Sequence, residues 1–266
     1  MTEPTIAQIQ TLAREAGEFT LRYFRKGASF SEKPEHQGIV TEADLGAEKL
    51  IKQWISSHFS GHAILAEESG LQAAGHTGPI WIVDPLDGTT NFSRGDPHYC
   101  VSIGYGLREG LDCDLRLGVV YKPATRELYW AEKGKGAWLG EQRLAVSPEA
   151  TFRLGSYRTG IGPSREDALR KILDAAFRVQ NECTGSAVRI GGSAALDLAY
   201  VASGFCEGFW EPDLNAWDTA AGTLMVREAG GRITNFEGRE FETLRDRGVI
   251  CAGPALHARL RELVAR

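Results

Sequence analysis

The chain has 266 residues, 42% hydrophobic and 24% charged, with a formal net charge of −5. That length allows one large domain or two intimate halves, and the mild acidity argues against a nucleic-acid surface, which needs a basic face. No run approaches the roughly 20 apolar residues of a membrane span, and the amphipathic, acid-containing start from Met1 to Tyr23 does not read as a signal peptide, so a cytoplasmic protein is expected.

In chain order, Ile6, Ile9, Leu12, Ala13, Ala16, Phe19 and Tyr23 recur at helical spacing, and Gly27 closes the pattern. Thr41 reads as the N-cap of a second helix, with Asp44 as its capping-box-like partner and Ala47, Leu50, Ile51 and Trp54 as the apolar face. Residues 63–66 and 80–83 read as strands, the second stopped by Pro85. Residues 99–107, 115–121 and 127–131 alternate or run apolar between turns, which suggests an antiparallel meander. The glycine-rich stretch 134–140 has its third glycine misplaced for a dinucleotide fingerprint and reads as a tight turn between strands.

A boundary near Ser147-Pro148 separates residues 1–147 from 148–266, read as intimate halves of one catalytic unit. The second half alternates: strand 154–157, helix 164–177, strand 188–190, helix 193–202, strand 208–211, helix 216–229, strands 232–234 and 249–251, and a last helix after Pro254. Strand–helix alternation predicts an α/β layered arrangement. Cys100, Cys113, Cys183, Cys206 and Cys251 are scattered without a C-x-x-C pair, which favours buried free thiols over a zinc site or disulfide framework.

The chemistry concentrates in Trp81-Ile82-Val83-Asp84-Pro85-Leu86-Asp87-Gly88-Thr89-Thr90-Asn91-Phe92. A buried strand ends in two aspartates, and strand-end carboxylates in α/β proteins line ligand crevices. A turn uses Asp-Gly alone; it does not need the strand before it to end in a second aspartate. Hard divalent cations such as Mg²⁺ take carboxylate and carbonyl oxygens and share their shell with substrate phosphates. Gly88, Thr89 and Thr90 offer backbone N–H groups and hydroxyls that favour an anion at a helix start. One segment thus supplies metal ligands and a phosphate seat, the combination a metal-dependent phosphatase needs.

Further carboxylates sit at element edges. Singly, each has a structural explanation: Asp44 completes a cap, Glu67 and Glu68 are solvated loop charges, and Asp218 offsets a helix dipole. Were they to converge on Asp84 and Asp87, they could not all ionise without cations, which would also bridge substrate oxygens.

These segments together resemble the inositol monophosphatase family of Mg²⁺-dependent, lithium-sensitive phosphatases. The resemblance covers nearly the whole chain. It rests on residues 81–92, on Trp217-Asp218-Thr219-Ala220-Ala221-Gly222 running on to Glu228-Ala229-Gly230-Gly231, on Val40-Thr41-Glu42-Ala43-Asp44, on Glu67-Glu68-Ser69 and on Gly192-Ser193-Ala194-Ala195-Leu196-Asp197. It implies an alternating α/β sandwich related to fructose-1,6-bisphosphatase, usually a homodimer. It implies two or three Mg²⁺ ions, replaceable by Mn²⁺: Glu67, Asp84 and the Leu86 carbonyl on the first, Asp84, Asp87 and Asp218 on the second, and Glu67 sharing a weaker third. Thr89 with Asp44 would orient and help deprotonate the attacking water. Gly88 and Thr89 N–H groups would hold the phosphate, and Asp87, Ala194, Glu211 and Asp218 would contact sugar or cyclitol hydroxyls. Lys33 matches a lysine near the family's metal site, against the plain reading of a solvated loop lysine. Arg158 and Arg189 read as surface salt bridges rather than substrate or subunit contacts.

The scaffold serves myo-inositol monophosphate, histidinol phosphate, 3′-phosphoadenosine 5′-phosphate and fructose-1,6-bisphosphate, so fold does not settle substrate. Glu211 favours a polyhydroxyl substrate, because a carboxylate accepts hydrogen bonds from hydroxyls. Pro212 departs from the family's usual run. Some bacterial members resemble regulators that touch RNA polymerase or antitermination factors; the full carboxylate set argues against a purely regulatory chain.

Overall fold

The computed structural model describes residues 3–26, 29–33, 38–72, 75–162, 166–185 and 187–265. Gly27, the expected end of the first helical pattern, and Ser164, the expected start of the third helix, lie outside them. Helix α1 (Ile6–Leu21) is opened by a capping box in which Thr5 N–H donates to Gln8 Oε1 at 2.9 Å. It turns Ile9, Leu12, Ala13 and Ala16 inward. Short strands β1 (Phe30–Glu32) and β2 (Ile39–Thr41) pair antiparallel. Thr41 then caps α2 (Glu42–His58), with Asp44 completing the box as expected.

An eight-stranded sheet follows. Its members are β3 (Ala63–Ala66), β4 (Gly70–Gln72), β5 (Thr77–Asp87), β6 (Cys100–Glu109), β7 (Asp112–Lys122), β8 (Glu127–Glu132), β9 (Gly136–Leu139) and β10 (Gln142–Arg143), with the short α3 (Thr89–Ser93) between β5 and β6. The strand order is β10-β9-β8-β7-β6-β5-β3-β4, antiparallel except for the parallel β3–β5 pair. The expected meander is therefore present, and it continues through β9 and β10, where the glycine-rich stretch forms the β8–β9 turn and all of β9.

The second half builds β11 (Tyr157–Thr159), α4 (Glu166–Glu182), β12 (Val188–Ile190), α5 (Ala194–Ala202), β13 (Gly208–Glu211), α6 (Ala216–Glu228), β14 (Arg232–Thr234), β15 (Val249–Ala252) and α7 (Pro254–Val264). Its five strands order as β12-β11-β13-β15-β14. The strand expected at 154–157 begins only at Tyr157, because Leu154 is exposed and Phe152 folds back to stack on Tyr157 with ring centroids 4.8 Å apart.

Period-two alternation in the strands dictates the layers. Trp81 and Val83 face α1 and α2, packing with Ile9, Leu12, Ile51 and Ile55. Ile80 and Ile82 face the other way, into a core shared with Leu196, Leu198, Leu224 and Met225 of α5 and α6. That core also takes Phe209, Ile233 and Cys251 from the five-stranded sheet, whose far face packs Trp210 and Ile250 against Val179 of α4 and Leu256 and Leu260 of α7. Helices and sheets alternate in five layers, the sandwich the resemblance implies.

Pro85 does not end β5. The β5–β6 ladder shifts register between Asp84 and Asp87 and re-forms at Asp87 opposite Cys100. Proline is tolerated at such a bulge because no ladder N–H is required there. The bulge aims both aspartates at one place.

Helix α6 seats on β6 and β7 at two glycines. A Cβ on Gly104 would lie 2.8 Å from Ala220 Cβ, and one on Gly118 would lie 2.9 Å from the Ala221 carbonyl oxygen. The second obstacle is backbone and cannot rotate away. Gly118→Ala is expected to lift α6 and destabilise the fold by about 1–3 kcal/mol, read as a lower denaturant midpoint; an unchanged midpoint would show that the close approach is not required.

Candidate metal centre and active site

Asp84 and Asp87 close β5, and Asp218 stands in the first turn of α6. One ligand oxygen from each lies within 4.8 Å of the others. Each carboxylate is fixed by a backbone donor through one oxygen. Leu86 N–H donates to Asp84 Oδ1 at 2.9 Å, Ala195 N–H to Asp87 Oδ2 at 2.8 Å and Asn215 N–H to Asp218 Oδ2 at 2.6 Å.

Glu67, just past β3, is anchored by its N–H on the Val83 carbonyl at 3.2 Å, and its charge helps to raise the Asp84 carboxyl. Lys33 Nζ bridges Glu67 Oε1 at 2.7 Å and Glu68 Oε1 at 2.8 Å, so Lys33 is not a solvated loop lysine. Burial works to lower the Lys33 pKa, and the charges and hydrogen bonds of Glu67 and Glu68 overcome it and raise it.

On the other side stands Thr89. Its hydroxyl is 2.9 Å from Asp44 Oδ1 and 3.1 Å from the Leu86 carbonyl oxygen. Asp44 Oδ2 meanwhile accepts from Thr41 N–H at 2.8 Å. The capping and site readings of Asp44 therefore hold together, one on each oxygen. Gly88 precedes α3 at φ 93° and packs so closely that a Cβ would meet the His98 carbonyl oxygen at 3.0 Å and the Gly192 carbonyl oxygen at 3.2 Å. The first-turn N–H groups after it have no intrahelical acceptor.

The electrostatics are those of crowded anions. Burial foremost, then Glu67, Asp87 and Asp218, hold the Asp84 carboxyl well above its ordinary range. Burial raises Asp218 well above its range too, followed by the Asp87 charge. Asp87 is pushed up to about 6 by burial, restrained by hydrogen bonds from Ser193 and Ala195. Burial also raises Asp44 against the pull of Thr41 and Thr89, and raises Glu68 to about 7 against the pull of Lys33. An all-oxygen, buried, mutually repelling donor set suits a hard divalent cation. Cys100 Sγ lies 3.9 Å from Asp87 Oδ2, but burial holds it as a neutral thiol.

Ala194 opens α5 beside Ala195, and Glu211 closes β13. Glu211 is buried, and its carboxyl is raised by burial first and then by the charges of Asp218, Asp197 and Asp87. No described residue hydrogen-bonds its carboxylate. Arg158 is no surface pair: it bonds the buried Asp197 at 2.9 Å and lies over the Tyr200 ring. Arg189 is exposed on β12.

Two contributors were not legible as site residues. Ser193 Oγ donates to Asp87 Oδ2 at 2.7 Å instead of capping its own helix. Asn91 Nδ2 donates to the carbonyls of His98 at 2.8 Å and Gly191 at 2.9 Å, tying α3 to the turn before α5. Ser193 was read as the start of a helix, and its place in the stretch 192–197 that carries the resemblance assigned it no role.

A layered α/β sandwich that gathers carboxylates from both halves beside an unpaired helix start defines a phosphate-ester hydrolase. The chain belongs to the inositol monophosphatase family, whose model matches residues 1–266. It is 37% identical over 264 residues to an inositol-1-monophosphatase of Caulobacter vibrioides, covering 98% of each chain. It is 36% identical to a Nus factor SuhB of Xylella fastidiosa, covering 93% of this chain and 88% of that one. The crystal structure of the extragenic suppressor protein suhB from Bartonella henselae superposes with a TM-score of 0.86 at 36% identity, covering 96% of each chain.

A carboxyl whose pKa rises on folding stabilises the fold in its protonated form. The contribution is full below the unfolded pKa and is lost as pH rises through the folded one. For Asp87 that window runs from 3.8 to about 6, and for Glu68 from 4.5 to about 7. In chelator, the melting temperature is expected to fall across this window relative to that of Asp87→Asn, and millimolar Mg²⁺ is expected to reverse the order at neutral pH. A wild-type curve parallel to the Asn variant's, with and without the ion, would show that Asp87 feels no such crowding.

Proposed function

We propose that the chain is a Mg²⁺-dependent phosphomonoesterase that hydrolyses myo-inositol monophosphate, or a related polyol phosphate, to the free polyol and phosphate. The observation that carries this reading is the meeting of Asp84, Asp87 and Asp218 within 4.8 Å, with the Thr89–Asp44 hydrogen bond beside them. Glu67, Asp84, Asp87, Asp218 and the Leu86 carbonyl would hold two or three Mg²⁺ ions, with Mn²⁺ as a substitute. Bound there, a divalent cation supplies a Lewis acid that acidifies water and offsets charge on the attacking and leaving oxygens.

The chain's own residues do the rest. The Thr89 hydroxyl, passing its proton toward Asp44 Oδ1, accepts a hydrogen bond from the attacking water and orients it. Burial keeps Asp44 proton-hungry enough to serve as the acceptor. The N–H groups of Gly88 and Thr89 donate to phosphate oxygens. Asp87, Ala194, Glu211 and Asp218 line the side where the polyol hydroxyls lie, and Glu211, with no donor on its carboxylate among the described residues, is open to them. Residues 1–147 would carry most of the phosphate chemistry and 148–266 the hydroxyl contacts, as one catalytic unit.

A second copy of the chain is the expected partner. Strand β12 is an open sheet edge carrying exposed Ile190, a feature that supports a homodimer. The Nus-factor name of one relative supports a regulatory contact beside catalysis; the complete carboxylate set favours catalysis as the primary role.

Mg²⁺-dependent phosphate release from myo-inositol 1-phosphate tests the reading, and a fully active Asp87→Asn variant would sink it. Thr89→Ala is expected to lower kcat by about 10²–10⁴-fold while calorimetric Mg²⁺ affinity stays near wild type. If affinity falls and kcat at saturating metal does not, Thr89 serves the metal rather than the water.

A further inference from the structure

Glycine at position 160 has no local reason to be there. It follows β11, it is buried, and its φ is not in the left-handed region. Alanine would fit its backbone. What alanine would not fit is Glu211. A Cβ built on Gly160 falls 2.0 Å from Glu211 Oε2, 2.1 Å from Oε1 and 2.1 Å from Cδ. The carboxylate lies flat against the glycine's Cα, in the space that any other residue would fill with its side chain.

The strand register explains the meeting. Parallel β11 and β13 pair Thr159 with Trp210, and one step further sets Gly160 beside Glu211. The seat is snug but not bonded: no described residue donates a hydrogen bond to this buried carboxylate. Its place is fixed by shape, not by a partner. The contrast with Gly118 is informative. There a Cβ meets the backbone of Ala221, and nothing rotates away. At Gly160 the obstacle is the far end of a rotatable side chain, so the fold can absorb a methyl group by expelling the carboxylate.

We propose that Gly160 is a specificity-determining positioning residue: by leaving the seat empty, it sets where the Glu211 carboxylate meets the hydroxyls of a polyol phosphate. The consequence for selectivity rests on the reading of Glu211 given above; the seat itself does not. Gly160 touches no reacting atom. It acts through Glu211, so its effect depends on the substrate having hydroxyls to read and vanishes when Glu211 is gone.

The test is a double-mutant cycle on the Mg²⁺-loaded enzyme with two substrates, myo-inositol 1-phosphate and p-nitrophenyl phosphate, which has no ring hydroxyls. Gly160→Ala is expected to shift the ratio of kcat/KM between them by about tenfold against the polyol phosphate, since a site built to bond a hydroxyl loses discrimination when the bond is misplaced. The change should appear in KM more than in kcat. In the Glu211→Ala background the same substitution should change the ratio no further. An unshifted ratio, or an equal shift with and without Glu211, overturns the proposal. Thermal melting of the same four proteins reads the seat independently of turnover. Any loss in Gly160→Ala, including failure to fold, should be relieved in the double variant, and a double variant as unstable as Gly160→Ala overturns the seat. Should the wild type not hydrolyse myo-inositol 1-phosphate at all, the functional reading fails, and the melting cycle still decides whether Gly160 holds Glu211.

Discussion

The site depends on one unfavourable interaction that the rest of the fold is arranged to tolerate: three aspartates forced together out of water. Burial raises all three, and repulsion from neighbouring carboxylates adds to it. What keeps them in place is a fixed donor on one oxygen of each, from the bulge after Asp84, from the start of α5 and from the start of α6. Helix starts are suited to this, because their N–H groups lack intrahelical acceptors and their dipoles favour negative charge. The other oxygens are left to one another. The geometry is set in advance by the protein, with the missing positive charge to come from outside.

That arrangement dictates the layering. Two of the donors come from helices of the second half and two of the carboxylates from a strand of the first, so α5 and α6 must sit between the sheets with their N-termini at the end of β5. The glycines under α6, the Asp87–Ser193–Ala195 contact and the Asn91–Gly191 bond make the two halves share one core. Lys33 adds the one internal cation bonded to Glu67, at the edge where the acidic set meets the first half. It bonds Glu67 and Glu68, and no bond joins it to the three aspartates, so it relieves the edge of the cluster without filling its centre.

Much of this was legible in the sequence because local chemistry and tertiary role coincide. Asp44 looks like a capping-box residue and is one; the cap uses one of its oxygens and Thr89 meets the other. Asp218, read as a charge offsetting a helix dipole, proves to complete a capping box as well. The strands at 188–190, 208–211 and 232–234 follow from short apolar runs between turns, and their observed bounds agree. The misreadings have a common cause. Proline was read as a strand terminator, whereas the ladder steps over it through a bulge, a decision that belongs to the partner strand β6. Ser193 was read as a helix start, whereas its hydroxyl reaches across to Asp87. Arg158 was read as a surface charge, whereas the fold brings Asp197 and Tyr200 to it. In each case the deciding partner lies far away in the chain, where propensity and periodicity carry no information.

Two ways of holding a carboxylate stand side by side around the cluster. The β5 bulge, α3 and the Thr89–Asp44 pair are locked by the Gly88 contacts and by short hydrogen bonds, so little can change there without disturbing the aspartates that close β5. Glu211 is different. It is held by shape alone, at the end of a strand terminated by Pro212 and followed by Asp213 at φ 59°. The loop beyond it is tied by the Leu214 N–H to the Arg247 carbonyl, outside the carboxylate cluster. A carboxylate positioned by packing can be moved by changing a neighbour's volume while the backbone-bonded oxygens of Asp84, Asp87 and Asp218 stay where they are. The Glu211 side of the cluster is therefore under far weaker constraint than the end of β5.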